Sequence, residues 1–416
     1  MSQSIVCPSC RYTFHPLNTD KFSYFGCPFC GAFFVDDADE PKRTLRCFDS
    51  KVLELPALAP TTEGELEGTA YTVAGIIGKC EQGDQFVQWY EYILFAQDGS
   101  TATLVEFNGH WMLIKAIPDM LTVNSYAGGV SAVEYAAEAY PQYHTYKSKV
   151  TYASGAFDWN ILDDEEIQAR EFIQGTRLLV EEQANGERER WYLGAYIEPE
   201  SIATAFGLPR ASLPARTGVG VIQPNPYERS RKPLLTIAMV FVVLIGVFQL
   251  VLTEIHPTST LLNQEFLTEP DSAGSSRLRP IMTQPFHLQY PTAVNVHMRA
   301  DVSNDWLEVT ALLVNEASGQ VHESSKSLEK YEGYDDEGSW SEDNSDKDIV
   351  FSSIPPGNYH LNLIPASEGG KSLPLTVRVT HSNWILSNFI LILIAIISVP
   401  AINQISYKVF EQKRFL

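Results

Sequence analysis

The sequence predicts a multidomain, mainly β protein that carries two long apolar helices. Three observations predict it. Two pairs of cysteines recur near the start, two uncharged apolar runs lie far along the chain, and the stretches between show short segments of alternating hydrophobicity punctuated by turn residues. Taken in order, these give an N-terminal zinc ribbon, a cytosolic antiparallel β-meander domain, two transmembrane helices and an external β-sandwich.

The first element, residues 1–36, holds Cys7-Pro-Ser-Cys10 and Cys27-Pro-Phe-Cys30, spaced C-x2-C-x16-C-x2-C. Two residues between thiolates let one tight knuckle aim both sulfurs at one ion, and a second knuckle after a short hairpin completes four thiolates around it. Cys7, Cys10, Cys27 and Cys30 are therefore expected to ligate a structural Zn2+, in a closed site with no position left for chemistry. Gly31 suits the turn after the second pair; Arg11 holds that place in the first. Cys47 and Cys80 lie in apolar, strand-like contexts and are read as core residues.

After the stretch APTTEGELEG, residues 65–208 read as strands separated by turns. TAYTVAGIIGKC, QFVQWYEYILF, TATLVEF and HWMLIKAI form one meander, with Asn108-Gly109 a strong two-residue hairpin signal. KVTYASGAFDWNI, AREFI, TRLLVEEQ and RERWYLGAYI form a second of similar length, which raises an internal duplication. A helix is expected at EPESIATAFGL, where Pro199 and its neighbouring acids suit a helix start. Trp89, Tyr90 and Tyr92 point to both faces of one strand, so that strand is covered on both sides or walls a groove. Glu91 and Glu106 near His110 are the one acid/base pairing considered, with a solvent-facing role expected instead. No P-loop, GxGxxG, G-x-S-x-G or H-E-x-x-H occurs, so neither a catalytic nor a cofactor-binding set is assigned.

The run Gln88-Trp89-Tyr90-Glu91-Tyr92, then Leu104-Val105-Glu106, Gly109-His110-Trp111, Gly155 to Asn160 and Trp191 to Ile197, resembles the bacterial domain of unknown function 4178. The resemblance implies no activity. It implies an envelope-associated protein, in a family whose members accompany phage-shock-type membrane-stress and polyamine genes.

Residues 209–233, rich in Pro and Gly, read as a semi-extended tether. Leu234 to Leu252 and Trp384 to Ile402 are free of charge and about 28 Å long as helices, giving transmembrane helices over 234–254 and 384–405. Arg229, Arg231 and Lys232 precede the first, whereas Glu254 and His256 follow it. His381 precedes the second, with Lys408, Lys413 and Arg414 after it. By the positive-inside rule both termini are cytoplasmic, including the tail 406–416, and residues 256–383 are external or periplasmic to an inner membrane. MSQSIVCPSC has neither the charged nor the apolar region of a signal peptide.

Within the external part, a β-sandwich is expected over 282–381, with Pro355-Pro356-Gly357-Asn358 as a hairpin turn. Residues 329–348 are expected to form a solvated acidic loop, with calcium binding as the sharper alternative.

With 30 basic against 51 acidic residues the net charge is −21, which excludes a basic nucleic-acid binder. The expected partners are the lipid bilayer and other proteins, in a membrane complex or homo-oligomer. The favoured reading is a two-span, non-enzymatic accessory or sensory protein coupling the two sides of a membrane. The alternatives are an enzyme subunit with a small-molecule site in the cytosolic β-domain, and a structural member of an oligomeric assembly.

Overall fold

The computed structural model describes residues 4–415 apart from 18–20, 37–41, 50–54, 119–120, 122, 126–130, 185–187, 256, 273–276, 337 and 383–385. It is mainly β, with several sheets and two long apolar helices, and divides into two units, 1–228 with 405–416, and 229–404.

In the first unit, β1 (Ile5–Val6) and β2 (Thr13–Phe14) form a small hairpin, followed by β3 (Tyr24–Gly26), β4 (Ala32–Val35) and β5 (Arg43–Cys47). Then come β6 (Glu63–Leu66), β7 (Thr69–Glu81), β8 (Asp84–Ala96), β9 (Thr101–Phe107) and β10 (His110–Ile117). The short pair β11 (Val123–Ser125) and β12 (Ser131–Tyr135) leads into the 20-residue β13 (Glu138–Phe157). Three more strands, β14 (Gln168–Gln174), β15 (Arg177–Gln183) and β16 (Arg190–Ile197), precede the helix α1 (Pro199–Ala205).

The two expected meanders, β7 to β10 and β13 to β16, both form. They join antiparallel at both ends, β10 to β16 and β13 to β7, so eight strands close into a ring of pairings, a β-barrel. The symmetry of those two junctions is what a duplicated meander would produce. Asn108 (φ 52°) and Gly109 (φ 75°) make the two-residue turn between β9 and β10, both left-handed as a type I′ turn requires.

The cysteine-bearing segment is spliced into this barrel. β3 pairs with the end of β13, Gly26 opposite Gly155, so β5, β4 and β3 extend the same sheet. Close approach requires the glycine: a Cβ on Gly26 would lie 2.6 Å from the Ala153 carbonyl. Arg46 of β5 also grips Glu165, in the 3-10 turn Ile161–Glu166, through both carboxylate oxygens.

Residues 207–227 are not a free tether. Leu213 packs against α1 and the outer face of the first meander, Ile222 is fully buried against β14 and β15, and Asn225 is buried as well. The linker expectation fails because apolar residues spaced too widely for periodicity still dock singly.

The helix α2 (Glu228–Ile255) begins the second unit at Arg229, and α3 (Leu386–Lys413) starts in it and ends in the first. Both are long and apolar enough to cross a membrane. They are not core helices of a soluble fold: Phe241 and Leu250 of α2, and Ile394 and Ile402 of α3, are each more than half exposed. Ser230 and Arg231 of α2 meet Asn403 and Gln404 of α3 at 2.9 and 2.6 Å.

Between the helices lie β17 (Ser259–Leu267), β18 (Ile281–Met282), β19 (Phe286–Leu288), β20 (Thr292–Ala300), β21 (Asp305–Asn315), β22 (Val321–Asp335), β23 (Gly338–Asn344), β24 (Asp346–Ile354), β25 (Gly357–Ser367) and β26 (Pro374–Ser382). They make two sheets, β17-β26-β20-β24 and β18-β25-β21-β22-β23, with β19 also on β25, around one apolar core. Three expectations are corrected here. The β-structure starts at Ser259 rather than Met282, because β17 pairs along β26. The Pro355-Pro356 turn is no hairpin, since β24 and β25 belong to different sheets. The acidic stretch is not a loop but lies mostly in the strands β22, β23 and the start of β24, with β22 and β23 paired along an exposed ladder.

Candidate metal centre and barrel interior

The knuckles at the two cysteine pairs are near copies. Arg11 N–H donates to the Cys7 carbonyl (3.0 Å) and Gly31 N–H to that of Cys27 (3.1 Å), with φ of 63° and 68° at Arg11 and Gly31. Arg11 thus takes the left-handed conformation that its glycine counterpart takes freely. Cys7, Cys10, Cys27 and Cys30 bring their ligand atoms within 4.8 Å of one another, with Sγ–Sγ separations of 3.7 Å for Cys7–Cys30 and Cys10–Cys27. Four sulfurs about 2.3 Å from one ion at tetrahedral angles stand roughly 3.8 Å apart, so the set fits a metal ion. Burial pushes the Cys27 and Cys30 thiols up, which without a cation keeps them protonated and makes metal loading proton-linked. Cys80 is buried as expected; Cys47 is exposed, not core, because β5 is the edge strand of its sheet.

The barrel supplies a second site. Alternation along each strand gives it two faces, and they differ in chemistry. The outward face is largely apolar and covered, with Glu106 and the Arg170–Glu181 pair as its buried charges: Tyr92, Leu94, Leu104 and Trp111 are fully buried beneath Ile202 and Phe206, at and just beyond α1, while Phe172 and Leu179 lie beneath Val133 of β12. The inward face carries Lys79, Trp89, Glu91, Tyr146, Glu171, Glu182 and Tyr192, with Lys79 directly opposite Trp89 and the others on neighbouring same-face positions. Beside this polar band the interior is filled by one cluster containing Ile77, Ile93, Val150 and Ile161 and another containing Leu178, Val180 and Ile222.

Lys79 Nζ lies 2.9 Å from Glu91 Oε2 and 2.9 Å from Asp164 Oδ2, the last from the 3-10 turn after β13. Trp89 Nε1 donates to Glu91 Oε1 (2.8 Å), Trp159 Nε1 to Asp164 Oδ1 (3.0 Å) and Tyr146 OH to Glu171 Oε1 (3.2 Å). Trp89 and Tyr146 meet edge to face at 5.6 Å. Burial alone would lower the Lys79 pKa, but Glu91 and Asp164 outweigh it and hold the ammonium charged. Burial pushes Glu171 up, and pushes Glu182 up despite Lys79. Three carboxylates, Glu91, Asp164 and Glu182, thus surround Lys79, with Glu171 beside Tyr146, and the band is still in reach of water: the Glu91 and Asp164 side chains keep 18% and 14% of their surface.

Glu91 and Glu106, expected as a possible pair, do not meet. Glu91 stands opposite Val105 and points inward, whereas Glu106 stands opposite Tyr90 and Trp111 and accepts from Gly109 N–H (2.7 Å). Glu106 closes a turn, and neither faces open solvent. His110 is 97% buried (3% exposed), with Nδ1 3.0 Å from the Tyr196 hydroxyl. Sequence reading missed Lys79, Asp164, Glu171 and Glu182; the signal available was an ionisable residue at alternate positions of apolar strands, as in IIGKCE.

In the second unit a pocket of about 230 Å³ is lined by Ser259, His287, Tyr290 and His381 among others. Ser259 Oγ and His381 Nε2 are 2.6 Å apart, but the two residues are directly opposed on β17 and β26 and tie the ends of one sheet together. Among the described residues, the four cysteines form the one His/Cys/Asp/Glu group placed to hold a metal, so no calcium site is seen in β22 and β23.

Residues 59–199, which contain the whole barrel, match the family described as Domain of unknown function (DUF4178). No curated protein matches. Among solved structures, particles derived from infectious bursal disease virus match at 14% identity over 30% of this chain and 35% of theirs, TM-score 0.16. Promiscuous carbohydrate-binding modules of the β-sandwich superfamily match at 7% identity over 64% of this chain and 95% of theirs, TM-score 0.14. The chain spans about a third of the length of the first virus proteins it matches, and likenesses at these scores carry no argument.

Proposed function

We propose, for a chain that carries a DUF4178 domain over residues 59–199, a non-enzymatic accessory or sensory role in a membrane, with the barrel as a receiving site for a small organic cation. The observation that carries this reading is the inverted polarity of the barrel. Its outer face is sealed by other elements, while its interior keeps four carboxylates, one lysine and the rings of Trp89, Tyr146 and Tyr192 in reach of water. An interior serving only stability would be apolar, since buried ion pairs add little to it. Excess negative charge beside aromatic rings suits an ammonium group, which gains both ion pairing and cation–π contact.

In this reading α2 and α3 cross the bilayer and lipid covers their exposed apolar side chains. Arg229, Arg231, Lys232, Lys408 and Lys413 put the barrel and both termini in the cytoplasm, and the second unit outside, consistent with an inner membrane and with a part in membrane-stress response. The four cysteines hold Zn2+ as a structural ion. Protein partners in a membrane complex remain part of the proposal.

The test is calorimetric titration of the detergent-purified chain with n-butylamine, 1,6-diaminohexane and tetramethylammonium, with butyrate as control. Binding of at least one cation, lost in Glu182→Gln, is expected; equal binding of butyrate, or none of the cations, refutes the reading. An enzyme-subunit role would share this interior, and recovery of the ligand chemically unchanged separates the two.

A further inference from the structure

The last residues of the chain return to the mouth of the barrel. Arg414, 5% exposed, donates through Nη1 to the carbonyls of Val221 (2.6 Å) and Gly175 (3.3 Å), through Nη2 to that of Gln223 (2.9 Å), and to Glu411. Gly175 lies in the turn joining β14 to β15 at the barrel rim. Asn225 adds Nδ2 bonds to the Tyr407 carbonyl (3.2 Å) and Glu411 (2.8 Å), and Phe415 packs on Tyr143 of β13 at 5.9 Å. The strap 220–225 is thereby pinned between the rim and the final turns of α3. Its Ile222 is fully buried among the inward-facing Met112, Ile114, Leu178, Val180 and Tyr196, so the strap covers one side of the interior. Farther along the same end of the barrel, His144 Nε2 lies 3.3 Å from Glu81 Oε2, and the His144 side chain is 45% exposed.

We infer that this strap is a movable lid on the barrel interior and that Arg414, at the end of α3, is its latch. The geometry makes the coupling steep. All the guanidinium bonds run to backbone carbonyls of the strap and rim or to Glu411, so a displacement of α3 by one helical turn, about 5.4 Å, breaks every contact to strap and rim at once. Ile222 and the partly buried Val221, with the Thr217 N–H bond to the Asn108 carbonyl at the start of the segment, then hold the strap without a turn of helix behind it. The strap continues directly into α2 at Glu228, so the lid is joined to one apolar helix covalently and to the other by Arg414. The inference rests on the reading of the interior as a receiving site, but its test reads access and needs no ligand.

The test uses the full chain in detergent with a single thiol introduced by Val180→Cys, which sits beneath the strap at 7% exposure, and follows N-ethylmaleimide addition at that position by mass spectrometry. Arg414→Ala is expected to raise the labelling rate at least about tenfold, the effect of some 1.4 kcal/mol on a local opening. Ile222→Ala, which leaves the Arg414 bonds in place, is expected to raise it as well, and serves if the Arg414 variant does not fold. A thiol introduced by Leu104→Cys, fully buried on the outward face, should keep its rate in both. An unchanged rate at position 180 in either folded variant overturns the lid, and an equal rise at position 104 overturns it as general loosening. If labelling responds as expected while no cation binds, the lid stands and the cation reading alone falls.

Discussion

Lys79 shows why single residues dominate the barrel's energetics. Its ammonium is buried at the junction of Glu91 and Asp164, 2.9 Å from each, and Lys79→Met leaves both carboxylates without their partner. Breaking one side of a buried pair costs about 3–5 kcal/mol, and a fall of that size in urea unfolding is the expected outcome. Glu182 acts in the other direction. Its pKa is raised by burial, so the folded chain binds that proton more tightly than the unfolded one, and stability falls as pH rises from the ordinary Glu range through the folded value. Glu182→Gln should therefore flatten the curve of melting temperature against pH, with the variant the more stable one above that window. A wild-type curve that rises in parallel with the variant's would contradict the assignment. At the cysteines, chelation or Cys27→Ser is expected to unfold the knuckles together, read as loss of one zinc per chain by elemental analysis.

Elements differed in how readily the sequence announced them. The strands of both meanders and the Asn108-Gly109 turn were legible, because alternation and turn chemistry are local. So were the four cysteines, whose spacing alone places them. Closure of the barrel was not, since pairing β13 with β7 joins residues such as Ser154 and Ile76 far apart in sequence, and nothing local encodes that register. Nor were the inward carboxylates, because whether an isolated Glu faces water or an interior depends on closure. The strap escaped for a different reason: Leu213 and Ile222 are lone apolar residues in a Pro- and Gly-rich run, and their burial is decided by the rim they meet. Gly26 lies at the most sensitive splice between elements. Gly26→Ala places a methyl 2.6 Å from backbone of β13, and a loss of at least about 1–3 kcal/mol is expected. The ribbon strands should exchange their amide protons faster while the far side of the barrel, around β9, keeps its protection.

At the scale of the whole molecule, the net charge of −21 no longer reads as uniform acidity. Part of it is turned inward, onto a water-accessible band in the barrel contained in the matched residues 59–199, and in the proposed function that charge serves recognition. In the proposed function, the strap at the barrel mouth, continuous with α2, couples that band to the apolar helices. The account depends most on what the interior accepts. Calorimetric titration of the detergent-purified chain with 1,6-diaminohexane, and with butyrate and calcium as controls, tests it most directly. Saturable binding of the amine that weakens at least about tenfold in Glu91→Gln or Glu182→Gln, a loss of some 1.4 kcal/mol, is the predicted result; binding of calcium or butyrate alone, or amine binding indifferent to both substitutions, would contradict it.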